Sequence, residues 1–119
     1  MKTPNVSIVI PTYNRDVFLE RSIRSALATQ SIYSSSEIIV VDDGSTDTTP
    51  YILSKFGSLI TTFKHETNLG LPSALNTGIL NSSSKYIIRI DSDDYVYPEY
   101  VSILESFLRY NNNIDARFF

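Results

Sequence analysis

The sequence predicts an α/β fold, a mostly parallel sheet flanked by helices on both faces, and three observations carry that expectation. Strand-length apolar runs alternate about four times with stretches of helical periodicity along the 119 residues. The apolar runs are continuous, not alternating with polar residues, which marks strands covered on both sides. Polar residues cluster where those runs end, the edge at which ligands gather in parallel sheets.

The elements follow in order. Val6-Ser7-Ile8-Val9-Ile10 is rich in β-branched residues and reads as a first buried strand. Pro11-Thr12-Tyr13-Asn14 should stop it, because proline cannot donate into a central ladder. Asn14 is suited to cap the next helix. There Leu19, Ile23, Ala26 and Leu27 recur at helical spacing, with Glu20, Arg21 and Arg24 facing out. Ser34-Ser35-Ser36 reads as a loop, and Glu37-Ile38-Ile39-Val40-Val41 as a second strand ending in Asp42-Asp43-Gly44-Ser45-Thr46-Asp47.

Thr49 and Pro50 suit a helix start, since the missing proline N–H costs nothing in a first turn. Tyr51 to Phe56 would form a short helix closed by Gly57. Residues 59–64 are a weaker strand candidate. Asn68-Leu69-Gly70 makes a turn before a helix with Leu71, Leu75 and Ile79 on one face. Lys85 to Ile90 is a strand running into Asp91-Ser92-Asp93-Asp94. A last amphipathic helix uses Tyr100, Ile103, Leu104, Phe107 and Leu108, and Ile114 to Phe119 reads as the start of another strand.

Composition bounds the function. The length suits one domain with a real core and is too short for two. A formal net charge of -3, with no basic run, gives no nucleic-acid footprint. The absence of cysteine excludes disulfides and thiolate metal sites, and a single histidine, His65, argues against zinc. No signal peptide and no run of about 18 apolar residues is apparent, so the default expectation is a cytoplasmic protein.

The acidic stretch at 91–94 is the strongest chemical feature. Three carboxylates within four residues repel one another unless a cation sits between them. A hard divalent ion, Mg²⁺ or Mn²⁺, takes such oxygens and leaves open positions for phosphate. An isolated Asp-x-Asp is more simply a polar turn before a helix. What favours a site is the second acidic strand end at Asp42-Asp43 and the polar group at Pro11–Asn14. A flat aromatic beside a carboxylate suits a nucleobase, and carboxylates on a neighbouring strand suit a metal-bound pyrophosphate; together they describe a nucleoside diphosphate site. No Gly-x-Gly-x-x-Gly follows the first strand, no P-loop motif occurs, and a phosphoaspartate receiver would need differently placed acids.

Four stretches carry a resemblance: Val6 to Asn14, Val41 to Asp47, Asn68-Leu69-Gly70 with Ala74 to Gly78, and Asp91 to Asp94. In that order they resemble family 2 glycosyltransferases of the GT-A (Rossmann-like, nucleotide-diphospho-sugar transferase) fold, from about Val6 to Leu108. The resemblance implies transfer of a sugar, with inversion, from a nucleotide diphosphate donor, UDP-linked by family tendency, assisted by Mn²⁺ or Mg²⁺. It implies a glycan or lipid-linked acceptor and a role in polysaccharide or cell-surface glycan synthesis. By position, Pro11, Thr12 and Tyr13 would line the base pocket and Asp43 would read the uracil ring, leaving Asp42 to fix the turn. Asp93 would lie near ribose and metal, Asp93 or Asp94 would ligate the ion directly, and Asp91 would support the loop. The Gly70 turn would let backbone approach the nucleotide.

The family's base lies in an acceptor-binding half, and only Asp115 follows the last helix here, a residue not assigned that role. Residues 1–119 are therefore expected to form one donor-binding domain without an acceptor half, inactive alone. The alternative is a non-catalytic nucleotide- and metal-binding module. An exposed apolar sheet edge would favour a homo-oligomer, and peripheral membrane association would belong to the full-length enzyme. Among other residues, His65 is expected to be a solvated loop histidine, not a base. Tyr86, Tyr100 and Tyr110 should pack, Tyr95 and Tyr97 are better placed for a sugar, and Arg89 should offset the acidic charge.

Overall fold

The computed structural model describes residues 6–30 and 35–110. Four strands and four helices alternate: β1 (Val6–Thr12), α1 (Asp16–Leu27), β2 (Ser36–Asp42), α2 (Thr49–Ser54), β3 (Thr61–Lys64), α3 (Leu71–Leu80), β4 (Tyr86–Arg89) and α4 (Tyr100–Tyr110). A single turn of 3₁₀ helix, Gly57–Leu59, joins α2 to β3. The strands lie in the order β3-β2-β1-β4, and every pairing is parallel. All four strands therefore end at the same edge of the sheet. The expected strand in Ile114 to Phe119, with Asp115, lies outside the described residues.

Both faces are covered. On one, Ile8, Ile10, Ile38, Val40 and Ile88 of the sheet pack with Leu19, Ile23 and Ala26 of α1, Ile52 and Leu53 of α2, and Val101 of α4. Full burial of each such Ile or Leu contributes about 2 kcal/mol. On the other face, Ile39 and Val41 meet Ala74 of α3, with Phe63 packed against them.

Pro11 does not stop β1. The strand continues to Thr12, with Pro11 opposite Val41 and Thr12 opposite Asp42. The reason is the length of the neighbour on the other side. The Ile90 amide donates to the Val9 carbonyl, so Val9 points its polar groups at β4. Pro11, two residues on, would aim its N–H the same way, but β4 pairs only with Val6 to Val9. The missing donor thus costs no ladder bond.

Helix α3 buries a different face from the one its large residues mark. In α3 the sheet is met by Ala74 and Gly78, while Leu71 and Ile79 are each 46% exposed. A side chain at Gly78 would collide with Val9, so α3 sits too close to β1 for leucines between them. In α4, Leu108 is buried and Leu104 packs against the core as expected, with Val101 buried beside them, while Ile103 and Phe107 lie largely exposed. Tyr86 and Tyr100 pack against the core as expected, but Tyr110, in the last turn of α4, is exposed. Ser36 belongs to β2 and not to a loop.

Candidate functional site

The parallel sheet brings the three polar strand ends together, and a fourth strand end joins them. Asp43 follows β2 and is buried. Its Oδ1 accepts from His65 Nδ1 at 2.7 Å and from the Leu69 amide at 2.9 Å, and its Oδ2 accepts from the Gly70 amide at 2.9 Å. Burial works to raise this carboxyl, but the donors from His65, Leu69 and Gly70 outweigh it and hold the pKa below the ordinary carboxylate value. The chain reaches this arrangement through two glycines. Gly44 has φ +80°, and a Cβ there would stand 2.6 Å from the Thr67 carbonyl carbon, so the 66–70 loop can lie against the β2 turn only over a glycine. Gly70 has φ +99°, yet a Cβ would meet nothing nearer than Pro72 at 3.8 Å. Within the chain its need is the left-handed backbone that aims its N–H at Asp43.

His65 is not a solvated loop residue. Its side chain is 12% exposed, and both ring nitrogens are engaged: Nδ1 with Asp43 and Nε2 with Thr77 Oγ1 at 2.8 Å. An ionised carboxylate only accepts, so Nδ1 carries a proton; in the neutral ring, Nε2 accepts from the Thr77 hydroxyl. The ring ties the end of β3 to the end of β2 and to α3.

The acidic stretch beyond β4 is the opposite case. Asp93 and Asp94 are exposed and Asp91 partly so, and oxygens of all three lie within 4.8 Å of one another. Arg89 grips Asp91 through Nε and Nη2, each 2.8 Å from Oδ1, so it offsets the charge as expected. The loop is otherwise held by its backbone from α1. Ser22 Oγ donates to the Asp91 carbonyl, Arg21 Nη2 to the Asp93 carbonyl, and the Val96 amide donates to Ser25 Oγ. The Arg21 guanidinium also lies 4.4 Å from the centre of the Tyr95 ring. Arg21 is exposed, as expected of it, and reaches this loop from the outer side of α1. Tyr95 and Tyr97 are largely exposed beside the triad.

A third group of bonds locks the loop after β1 to the loop after β2. Asn14 does not cap α1. It has φ 51°, its amide donates to Ser45 Oγ, and its side-chain oxygen accepts from the Thr46 amide. The helix ends are served by exchange: Asp47 accepts from the Asp16 amide of α1 and the Thr49 amide of α2, while Asp16 accepts from the Thr48 amide and hydroxyl. Burial raises the Asp47 carboxyl, but the bonds from Thr49 and Asp16 prevail and lower it. Asp42 does fix the turn, its Oδ1 accepting from the Ser45 amide at 2.9 Å.

Two pockets result. One, of about 310 Å³, is lined by Pro11, Thr12, Tyr13, Asp43, Gly70 and Leu71 among others. Its volume is at the lower end for small-molecule sites. The second, of about 540 Å³, is lined by Tyr13, Asn14, Arg15, Arg89, Asp91 and Asp93 among others. Pro11, Tyr13 and Leu71 line both, so the pockets adjoin. Pro11 and Thr12 are buried, and Tyr13 is 40% exposed. Thr12 keeps a buried hydroxyl with no partner among the described residues. Asp94 lines neither pocket; it borders a smaller one with Asp91 and Tyr95. Sequence reasoning missed Leu71 as a lining residue and His65 as a buried tie. A larger concavity between α1 and α2 is lined by Glu20, Arg24 and Lys55, whose charges are spent on one another.

The sequence profile of glycosyl transferase family 2 matches residues 7–118. An uncharacterized glycosyltransferase of Haemophilus influenzae is 35% identical over 116 residues, 95% of this chain and 35% of its own length. One from Rickettsia prowazekii, RP339, is 40% identical over 114 residues, 96% of this chain and 35% of its own. Among solved structures, Staphylococcus aureus TarS residues 1–349 in complex with UDP-GlcNAc superposes with a TM-score of 0.83 at 27% identity, over 91% of this chain and 32% of that one. The same TarS segment is also known with UDP. A mannosyltransferase from Pyrobaculum calidifontis, in complex with GDP-Man and Mn²⁺, shares the fold at a TM-score of 0.80 and 22% identity, over 91% of this chain and 33% of that one. The fold is that of the GT-A glycosyltransferases. The chain belongs to glycosyl transferase family 2. It spans about a third of the length of these relatives. Among the described residues, no helix is long and apolar enough to cross a membrane.

Proposed function

We propose that this chain is the donor-binding domain of a glycosyltransferase and holds a UDP-linked sugar across the two adjoining pockets. The observation that carries the reading is their shared wall: Pro11, Tyr13 and Leu71 join a buried carboxylate to an exposed acidic triad. In this reading the base enters the smaller pocket, against the Tyr13 ring, with Asp43 accepting a ring N–H. The diphosphate then runs toward the triad. TarS, 27% identical and known with UDP and with UDP-GlcNAc, supports the choice of nucleotide.

The triad fits a hard divalent cation. Its donors are all carboxylate oxygens, they converge within 4.8 Å, and two of the three residues are open to solvent, leaving room for phosphate and water. Asp93 and Asp94 would hold the ion and Asp91, already gripped by Arg89, would orient the loop. When bound, Mg²⁺ or Mn²⁺ neutralises the charge that grows on the departing diphosphate. The chain's own share is placement. Asp43 and Tyr13 fix the base, the backbone bonds from α1 set the pose of the acids, and Arg89 holds the Asp91 carboxylate in place beside its neighbours. The acceptor, a glycan or lipid-linked hydroxyl, and a base that activates it for inverting attack belong to the rest of a full-length enzyme.

Calorimetric titration of UDP with and without Mn²⁺ tests the reading. Binding should tighten with the metal, and Asp93→Ala should remove that gain. Metal-indifferent binding, or none, contradicts it.

A further inference from the structure

Asp43 is more heavily engaged than a base-reading carboxylate needs to be, and the way it is engaged has a consequence for which base it can read. An ionised carboxylate offers about four acceptor positions, two on each oxygen. On Asp43 three are taken from inside the protein. His65 Nδ1 and the Leu69 amide fill Oδ1, and the Gly70 amide takes one position on Oδ2. One acceptor position remains, on Oδ2.

Nucleobases differ in what they present to such a position. Uracil offers a single ring N–H between two carbonyls. Guanine offers a ring N–H with an amino group beside it, and a carboxylate satisfies both only by turning two free oxygens toward it. Cytosine and adenine place an unprotonated ring nitrogen next to their amino group, which a carboxylate repels. A buried donor left without an acceptor weakens binding by about tenfold. The two backbone amides cannot be moved without rebuilding the 66–70 loop. The His65 ring is the side-chain member of the set, and it is anchored from behind by Thr77 in α3. With the ring in place only Oδ2 has an open acceptor position; without its N–H a second position opens on Oδ1, while the Leu69 and Gly70 amides still hold the carboxylate.

We propose that His65 is a specificity-determining positioning residue: by occupying Oδ1 of Asp43 it leaves one acceptor, and so selects uracil over guanine in the nucleotide pocket. The inference rests on the assignment of that pocket to the base. His65 touches no ligand itself and acts through Asp43.

Competitive titration of the chain with UDP and GDP, in the presence of Mn²⁺, tests it. The wild-type protein should bind UDP about tenfold more tightly than GDP or better. His65→Phe, which keeps a ring and loses the donor, should bring the two affinities to within about threefold. His65→Gln, which returns a donor to Oδ1, should restore most of the preference. A role in packing alone would weaken both nucleotides equally and leave their ratio unchanged in both variants, which would overturn the inference. So would a wild-type protein that binds GDP as well as UDP, a result that needs no variant to fold. Asp43→Asn separates the two levels. If it leaves both affinities intact, the pocket itself is misassigned. If it abolishes them while His65→Phe keeps the wild-type ratio, only the role of His65 falls.

Discussion

The two ends of the candidate site are built on opposite plans. At the Asp43 end, a buried carboxylate is held by a histidine and two backbone amides, and the loop that supplies the amides is locked over Gly44. At the acidic end, Asp93 and Asp94 stand exposed, and the protein holds the loop's backbone and not these two carboxylates. The first end is organised before any ligand arrives and contributes to the stability of the fold. The second is an array of like charges that costs stability until a cation joins it.

That contrast gives the largest expected effect to Asp43. Asp43→Ala leaves two amides and a histidine facing an empty acceptor, and should lower unfolding free energy by about 3 kcal/mol in urea denaturation. Gly44→Ala attacks the same end through the backbone, where both φ and the Thr67 contact forbid a side chain; a loss of about 2 kcal/mol is expected. Asp93→Asn and Asp94→Asn should change stability by less than about 0.5 kcal/mol in metal-free buffer. If they destabilise as Asp43→Ala does, the acidic end is a structural element and the contrast fails.

The acid limb of the stability curve sharpens the comparison further. The hydrogen bonds to Asp43 and Asp47 outweigh burial and hold both carboxyls below the ordinary carboxylate range. Groups depressed in this way contribute their stability above the unfolded value and lose it as pH falls through the folded one. Stability should therefore decline on acidification below about pH 4, as those two carboxylates take up protons. Asp47→Asn should flatten part of that decline. An unchanged acid limb in this variant would remove Asp47 from the account.

Much of this was legible in the sequence, for a physical reason. Strands buried on both faces announce themselves by continuous β-branched runs, and a parallel sheet must place their ends together. The failures share a cause too: they depend on what lies next door. Pro11 is tolerated in β1 because β4 is short, which no property of Pro11 reveals. The buried face of α3 is set by how closely that helix approaches the sheet, so Ala74 and Gly78 face inward and Leu71 does not. His65 looked like an isolated loop histidine. Its partner was nonetheless implied by register: with Asp42 opposite Lys64, the next pair along is Asp43 and His65. The order of the strands was the missing information.

The central claim is that one site has a preorganised, metal-independent end and a metal-dependent end. UDP affinity of the wild-type protein, Asp43→Asn and Asp93→Asn, each with and without Mn²⁺, measures it most directly. Asp43→Asn should weaken UDP by about tenfold or more in both conditions. Asp93→Asn should match the wild type without metal and forfeit the gain that Mn²⁺ brings. Equal losses from both substitutions in metal-free buffer would contradict the account.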